Sequence, residues 1–212
     1  MQGGLDTRMN VLLDLDNTLI NTLEDDERDK VPVDFQDRFV HHDLLPYGMR
    51  IFARPGLEEF LDFLFDNFNV CVYTAAEQEY ALFIINNFLL TKPNRKVHWV
   101  FFRYHVELGR KRFQGTKDLR LLFDVFNVPG FYPCNTVIVD DLDEVHIANP
   151  HNAIPIKSFD VMRNKAVHYD SIYDNDLQRV QDVLKTLQER FENSECLRQI
   201  YRGQIPSLTR PF

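Results

Sequence analysis

Residues 11–20 read VLLDLDNTLI, an apolar run that ends abruptly in two carboxylates and a hydroxyl. A short apolar run bounded in this way predicts a fully buried strand. If the strand lies inside a parallel sheet, Asp14 and Asp16 leave its C-terminal end, where open α/β sheets place their ligand crevice. Both carboxylates can reach one hard cation if the backbone bends after the first, and oxygen ligands suit Mg²⁺. The alternative for this stretch alone is an acidic turn without a chemical role.

The composition predicts one globular domain over residues 1–212, with a core from about 9 to 202. Of 212 residues, 44% are hydrophobic and 18 are Phe, which is enough apolar material for one well-buried core. The net charge of −8 argues against general nucleic-acid binding, because such proteins normally carry a basic surface. We therefore expect no direct nucleic-acid partner, although a single phosphate site needs only local cations.

The cysteines and the hydropathy pattern favour an intracellular protein, nuclear or cytoplasmic. Cys71, Cys134 and Cys196 are odd in number, lie far apart and include no C-x-x-C pair, so neither a disulfide framework nor a zinc site is expected. A reducing compartment fits this pattern. We expect no signal peptide and no membrane association, because no apolar stretch has the required length.

Helices and buried strands are predicted to alternate along most of the chain. Apolar residues at spacings of three and four predict helices over 57–69, 77–90, 117–126 and 177–191. Short apolar runs predict further strands at 69–74, 97–102, 136–141 and 152–159. This alternation is typical of a mostly parallel, three-layer α/β sheet.

Two polar stretches lie outside the alternation. Residues 21–50 lack sustained periodicity and predict an irregular loop or flap. Residues 103–117 are polar and basic, and their run Arg110-Lys111-Arg112 is interpreted as a solvated loop. The first stretch is too short and aperiodic for a large helical lid, and a site without such a lid can accept an extended peptide.

The carboxylates of residues 11–20 have polar counterparts farther along the chain. Thr74 ends one predicted strand, Asp140 and Asp141 end another, and Lys117 lies where a helix is expected to begin. Because the C-terminal ends of neighbouring parallel strands lie side by side, we expect these residues to converge on one crevice.

These groups together predict phosphoryl transfer through an aspartyl-phosphate. Asp14 is the candidate nucleophile, and Asp16 is the candidate general acid and base. The hydroxyl of Thr74 and the ammonium of Lys117 would stabilise negative charge on the phosphoryl oxygens.

A Mg²⁺ ion is the expected cofactor of this chemistry. Asp141, and Asp140 more indirectly, would complete its site beside the carboxylates that follow the first strand. Such an ion needs only one or two protein carboxylates, because backbone, phosphate and water oxygens fill the remaining positions.

The chain resembles the haloacid dehalogenase superfamily of phosphatases in four segments, which in order are DLDNTLI, YTAAEQEYA, GTKDLRLL and VIVDDLDEV. It is similar to the NLI-interacting-factor-like branch, which contains the phosphatases of the RNA polymerase II C-terminal domain, in ARPGLEEFLDFL, KDL and NPHNAIPIKSF. The resemblance extends from about Met9 to about Arg202. It implies a Rossmann-like three-layer sandwich with small insertions and no large helical cap. It also implies Mg²⁺-dependent hydrolysis of phosphoserine or phosphothreonine in a protein or peptide partner.

The resemblance assigns a role to each matching position. It implies a nucleophile at Asp14, an acid/base at Asp16, phosphate binders at Thr74, Ala75 and Lys117, and a metal ligand at Asp141 with Asp140 beside it. The implied metal site also includes Asp14 and the backbone carbonyl of Asp16. One departure is that small members of the branch have D-N-S where this chain has Asp140-Asp141-Leu142.

Two alternatives stay open at this point. One is a catalytically silent scaffold of the same fold that binds a peptide, against which the intact Asp14, Asp16 and Lys117 argue. The other is a phosphatase for a small metabolite or a nucleic-acid end, against which the acidic balance and the absence of a predicted lid argue. The physiological substrate, the choice between serine and threonine, and the oligomeric state are not predicted.

Overall fold

A parallel sheet and a smaller antiparallel sheet form the framework of the computed structural model, which describes residues 8–193, 196 and 197. In chain order the strands are β1 (Asn10–Leu13), β2 (Ile20–Glu24), β3 (His41–Leu44), β4 (Met49–Ala53), β5 (Asn69–Tyr73), β6 (Val100–Phe101), β7 (Thr136–Asp140), β8 (Ala153–Pro155), β9 (Met162–Arg163) and β10 (Ala166–Val167). The helices are α1 (Asp25–Arg28), α2 (Val33–Gln36), α3 (Leu57–Asn67), α4 (Gln78–Ile84), α5 (Arg103–Phe113), α6 (Asp143–Ala148) and α7 (Asp176–Glu192). Among the described residues, no helix combines the length and apolarity needed to cross a membrane.

The main sheet has five strands in the order β6-β5-β1-β7-β8, and all neighbouring pairs are parallel. Asn10 of β1 pairs with Asn69 on one side and Thr136 on the other, so the three central strands run in step. Their C-terminal ends therefore meet at one edge, as the sequence predicts.

Helices cover both faces of the main sheet. Val11 and Leu13 of β1 join a buried cluster with residues of α3, α4 and α7, whereas Leu12 joins a second cluster with Val106 of α5 and Val145 of α6. Alternation of this kind follows from the two-residue period of a strand. The predicted three-layer α/β architecture is confirmed.

The prediction of an irregular flap over residues 21–50 was wrong. Strands β2, β4 and β3 form an antiparallel sheet in that order, and this sheet has a core of its own. Phe39 contacts both Phe35 and Phe52 edge to face and packs against Phe159 from beyond β8. Helices α1 and α2 have four residues each, so the expected absence of a large helical cap holds for the described residues.

The predicted loop at 103–117 was also wrong, and the predicted helix at 117–126 begins only at Arg120. A helix, α5, covers residues 103–113, and it was missed because only Val106 and Gly109 are buried on it. Its last turn carries Arg110, Lys111 and Arg112, which are solvent-exposed as expected. Lys117 lies in a turn, and the helix beyond it covers Arg120 and the π-helical turn Leu121–Val125. The predicted strands at 97–102 and 152–159 are present but shorter, as β6 (Val100–Phe101) and β8 (Ala153–Pro155).

The prediction about the cysteines was wrong as well. Cys134 and Cys196 form a disulfide, and Cys71 is a buried free thiol. The pair meets because the chain beyond α7 returns to the segment before β7, where the amide of Leu197 donates to the carbonyl of Cys134 at 3.4 Å. A separation of 62 residues gives no pairing signal in the sequence. The short helix considered after Ser194 lies outside the described residues.

Candidate active site

The turn after β1 presents the first two carboxylates of the site. Asp14 is buried directly after the strand, and the amide of Ile20 donates to the carbonyl of Leu15 at 3.1 Å, so the chain reverses at once. Asn17 has a φ of 59°, a left-handed conformation that Asn tolerates better than most residues. The bend that the sequence requires for two carboxylates at one site is therefore present.

A buried ammonium lies between two of the predicted carboxylates. Lys117 Nζ is 2.5 Å from Asp14 Oδ1 and 2.7 Å from Asp140 Oδ2, and the lysine side chain is 1% exposed. Lys117 has a φ of 49°, an unfavourable backbone conformation that costs on the order of 1 kcal/mol. Asn149 holds this turn, because its Nδ2 donates to the carbonyl of Lys117 at 3.1 Å and its Oδ1 accepts from the amide of Leu119 at 2.9 Å.

Burial sets the direction of the pKa shift for the carboxyl groups of the site, but not for Lys117. It raises the pKa of Asp14 from 3.8 to about 6, although the charge of Lys117 opposes the rise. Burial also raises the pKa of Asp140, again against Lys117, and the pKa of Asp141. For Lys117 burial acts downward, but Asp14 and Asp140 outweigh it, so its pKa is raised. At neutral pH Lys117 is therefore charged and Asp14 is mostly ionised.

Three carboxylates of the site could hold a metal ion. Oxygen atoms of Asp14, Asp140 and Asp141 all lie within 4.8 Å of one another, and Thr18 Oγ1 lies 3.5 Å from Asp14 Oδ2 and 3.4 Å from Asp141 Oδ1. An all-oxygen group of this size fits Mg²⁺. The Asp16 carboxylate is not a member of this group, so the prediction that Asp16 shares in a metal site now rests on its backbone carbonyl, as the resemblance implies.

Asp16 instead faces a tyrosine to which the sequence analysis gave no role. The hydroxyl of Tyr80 donates to Asp16 Oδ1 at 2.6 Å and lies 2.5 Å from Thr22 Oγ1. Burial raises the pKa of Asp16, and the hydrogen bond from Tyr80 opposes the rise. Burial and the neighbouring Asp16 also raise the pKa of Tyr80. The sequence offers one indication of a role for Tyr80, because its phenol hydroxyl is the polar group of an otherwise apolar helical stretch, YALFII.

The segment after β5 supplies the predicted phosphate binders. Thr74 is 1% exposed, and its Oγ1 accepts from the amide of Ala76 at 3.1 Å. The carbonyl of Ala75 accepts from Arg103 Nε at 2.9 Å, and Arg103 also pairs with Glu77 at 2.8 Å. Arg103 falls in the stretch predicted as a loop, so its place at the site was not foreseen.

The predicted site residues other than Asp140 line one cleft of about 1010 Å³. We call the predicted site residues that line it the floor; they are Asp14, Asp16, Thr74, Ala75, Lys117 and Asp141. Asp140 lies fully buried behind them. We call the antiparallel sheet at residues 20–53 the wall; it presents Leu44, Tyr47 and Met49 to the cleft, which Tyr80 and Leu82 of α4 also line. The structure thus brings the predicted site residues together, and adds side chains from the wall and from α4.

Comparison with known proteins identifies the family of the chain. A sequence profile described as NLI interacting factor-like phosphatase matches residues 9–195. A CTD phosphatase-like protein of invertebrate iridescent virus 6 is 40% identical over 181 residues, which cover 82% of this chain and 96% of the viral protein. The protein of the same description in invertebrate iridescent virus 3 is 36% identical over 186 residues, covering 83% and 95%.

A solved structure shares the fold. The structure of Fcp1, described as an essential RNA polymerase II CTD phosphatase, superposes with a TM-score of 0.66 at 18% identity, over 89% of this chain and 64% of the Fcp1 chain. This chain therefore spans less than two thirds of Fcp1, and at this identity the similarity shows the α/β fold alone. The profile match and the viral relatives show more: the chain belongs to the NLI interacting factor-like phosphatase family, in the CTD-phosphatase branch of the haloacid dehalogenase-like enzymes, and is a phosphoric monoester hydrolase.

Proposed function

We propose that the chain is a Mg²⁺-dependent protein serine/threonine phosphatase that acts through a phosphorylated Asp14. The observation that carries the proposal is the contact of Lys117 with Asp14 at 2.5 Å inside an acidic group at the bottom of an open cleft. A buried ion pair of this kind fixes the orientation of a carboxylate, and a fixed, ionised carboxylate is a competent nucleophile towards phosphorus.

In the first half of the reaction, an oxygen of Asp14 forms a bond to phosphorus while the bond from phosphorus to the seryl or threonyl oxygen breaks. Asp16 gives its proton to the leaving oxygen, and the raised pKa of Asp16 favours the protonated state that this step needs. In the second half, a water oxygen bonds to phosphorus, its proton passes to Asp16, and phosphate leaves Asp14. Asp16 thus returns to its starting protonation state.

Thr74 and Lys117 each keep a hydrogen-bond donor that can reach the phosphoryl oxygens. Thr74 Oγ1 accepts from the amide of Ala76, so the hydroxyl hydrogen is left to donate. Lys117 has three N–H donors, and its contacts with Asp14 and Asp140 occupy two of them. The third can reach a phosphoryl oxygen placed over Asp14, where negative charge needs stabilisation.

The charge balance supports a cation at the floor. The predicted site residues contain four carboxylates and one ammonium, which would repel a phosphate dianion. A bound Mg²⁺ would offset this charge and polarise the phosphoryl group. Asp14, Asp141 and the backbone carbonyl of Asp16 would hold it, and Asp140, which also lies within the acidic group, would stay paired with Lys117.

The shape of the cleft supports a peptide substrate. A volume of about 1010 Å³ exceeds what one phosphate group fills and compares with the upper range of ligand pockets. The wall adds a small sheet without a large helical cap, so both ends of an extended peptide can leave the cleft. The viral relatives are described as CTD phosphatase-like, and we assign the same substrate class, phosphoserine or phosphothreonine within a peptide.

The test is hydrolysis of p-nitrophenyl phosphate, followed by phosphoserine and phosphothreonine peptides and a panel of sugar and nucleotide phosphates. We expect turnover that requires Mg²⁺, is abolished by EDTA and is lost in Asp14→Asn. Asp66→Asn is the matched control, because Asp66 is exposed on α3 outside the cleft. Full activity in EDTA or in Asp14→Asn would overturn the mechanism, and a preference for sugar or nucleotide phosphates would overturn the substrate class. A folded wild-type protein without turnover would favour the scaffold alternative.

A further inference from the structure

Tyr80 connects the proposed acid/base residue to two other parts of the fold. It lies on α4, its hydroxyl is 2.6 Å from Asp16 Oδ1, and its oxygen is 2.5 Å from Thr22 Oγ1 on β2. A carboxylate can only accept, so Tyr80 donates to Asp16, and the phenol oxygen then accepts from Thr22. The three side chains therefore form a directed chain from the wall to the floor.

We propose that Tyr80, supported by Thr22, is a positioning residue that fixes the carboxyl group of Asp16 for proton transfer to the leaving oxygen. The proposal rests on the proposed function, because it needs Asp16 to be the general acid. It assigns Oδ1 of Asp16 to the bond with Tyr80 in both protonation states, since a protonated carboxyl group still accepts at its carbonyl oxygen. The proton that moves is then carried on Oδ2.

A carboxyl group needs such a partner to act in one orientation. The terminal torsion of Asp is broad and roughly two-fold, so an unrestrained Asp16 would present either oxygen over a range of angles. Proton transfer is efficient only when donor and acceptor are held in line. The short bond from Tyr80 removes that freedom, and the bond from Thr22 holds the phenol in turn.

The environment of the phenol agrees with a holding role. Tyr80 is partly buried and packs against the main apolar cluster of the sheet, so its ring is anchored apart from its hydroxyl. Phe at this position would keep the ring and its packing and would lose only the two hydrogen bonds. The variant Tyr80→Phe therefore removes the proposed function of the residue with little change to the fold.

The leaving group provides a readout that a structural role would not change. p-Nitrophenol is a strong acid among phenols and leaves without a proton, whereas phenol and alcohols need one. We expect Tyr80→Phe to lower kcat/KM for phenyl phosphate by about 10- to 100-fold and for p-nitrophenyl phosphate by less than about threefold. Thr22→Val should show the same pattern with a smaller loss. Because kcat/KM reports the steps up to departure of the leaving group, the return of the proton in the second half does not affect it.

Two controls separate the outcomes. Tyr104→Phe, at an exposed tyrosine outside the cleft, should leave kcat/KM unchanged for both phenyl phosphate and p-nitrophenyl phosphate. Asp14→Asn should lose activity towards both aryl phosphates. If it keeps that activity, the proposed function itself fails. If Asp14 is essential but Tyr80→Phe reduces kcat/KM equally for the two aryl phosphates, or reduces neither, the positioning role of Tyr80 is wrong and the proposed function stands. We expect the melting temperature of Tyr80→Phe to match that of wild type, because the substitution keeps the ring and its packing.

Discussion

The floor and the wall of the cleft are built in opposite ways. Three of the six floor residues, Asp14, Thr74 and Lys117, are at most 5% exposed, and Asp14 and Thr74 directly follow strands of the parallel sheet. The wall carries Tyr47, at 56% exposed, and it gains its order from a small aromatic core away from the cleft. The difference indicates that rigid strand ends hold the groups proposed for the chemistry, while a more exposed sheet shapes access to them. Four predictions test this division, from the largest expected effect to the smallest.

The largest effect is expected for the proposed nucleophile. Asp14→Asn removes the ionised oxygen that would bond to phosphorus, so kcat for p-nitrophenyl phosphate should fall by more than about 10³-fold. Met49→Ala, which truncates a side chain of the wall, should keep the rate for this small substrate within about threefold. Steady-state kinetics on both variants measure the contrast, and similar losses in the two would remove the distinction between floor and wall.

The second prediction concerns the buried ammonium. Lys117→Met leaves Asp14 and Asp140 without the cation that both contact, and an uncompensated buried charge costs about 3–5 kcal/mol of unfolding free energy. The loss should be greatest at high pH and should shrink as the pH falls and the carboxyl groups take up protons. Urea unfolding in EDTA at pH 5 and pH 8 measures it. A loss below about 1 kcal/mol at pH 8 would contradict a strong interaction of Lys117 with the two buried carboxylates.

The third prediction uses the pH dependence of stability without metal. Burial raises the pKa of folded Asp14 from 3.8 to about 6, so the folded protein binds this proton more tightly than the unfolded chain. The contribution of Asp14 to stability is thus fully present below about pH 4 and is lost as the pH rises through 6. In EDTA, Asp14→Asn should exceed wild type in unfolding free energy by on the order of 2 kcal/mol above pH 7, and should converge with it near pH 4. Parallel curves for the two proteins would show that Asp14 is not perturbed in this way.

The smallest effect is expected within the wall. Arg50 Nε lies 2.6 Å from Asp43 Oδ1 on the neighbouring strand, with side chains 20% and 33% exposed. Solvent screens a pair of this exposure, so Asp43→Asn should lower the unfolding free energy by less than about 1 kcal/mol. The rate for p-nitrophenyl phosphate should stay unchanged. A loss as large as that of Lys117→Met would show that the wall is as tightly coupled as the floor.

The same contrast explains what the sequence could predict. The floor follows from local patterns, because an apolar run that ends in Asp14, in Thr74 or in Asp140 specifies both a strand and the edge at which it ends. Lys117 lies in the cleft, as the sequence predicts, although the helix expected to begin there begins three residues later. Its turn depends on Asn149, which lies 32 residues away and bonds to its carbonyl, so no local spacing reveals it.

The wall and the cross-chain contacts could not be predicted in this way. The pairing of β2 with β4 joins Ile20 to Ala53, and its aromatic core is completed by Phe159, far beyond any window in which periodicity is read. Short strands that carry polar residues, such as His42 and Asp43 in β3, also dilute the alternation that marks a strand. Tyr80 and the Cys134–Cys196 disulfide were missed for the same reason, because their partners come together only in the fold.

The central claim is that phosphate is carried on Asp14, and the most direct measurement is to trap it there. Wild-type protein with p-nitrophenyl phosphate and Mg²⁺ is quenched in acid and treated with borohydride, which reduces an acyl phosphate on aspartate to homoserine and releases phosphate. We predict that peptide mass spectrometry finds homoserine at position 14, that EDTA prevents it, and that Asp16→Asn retains the phosphorylated state longer because water is no longer activated. Turnover with homoserine at another position, or with none, would contradict the account.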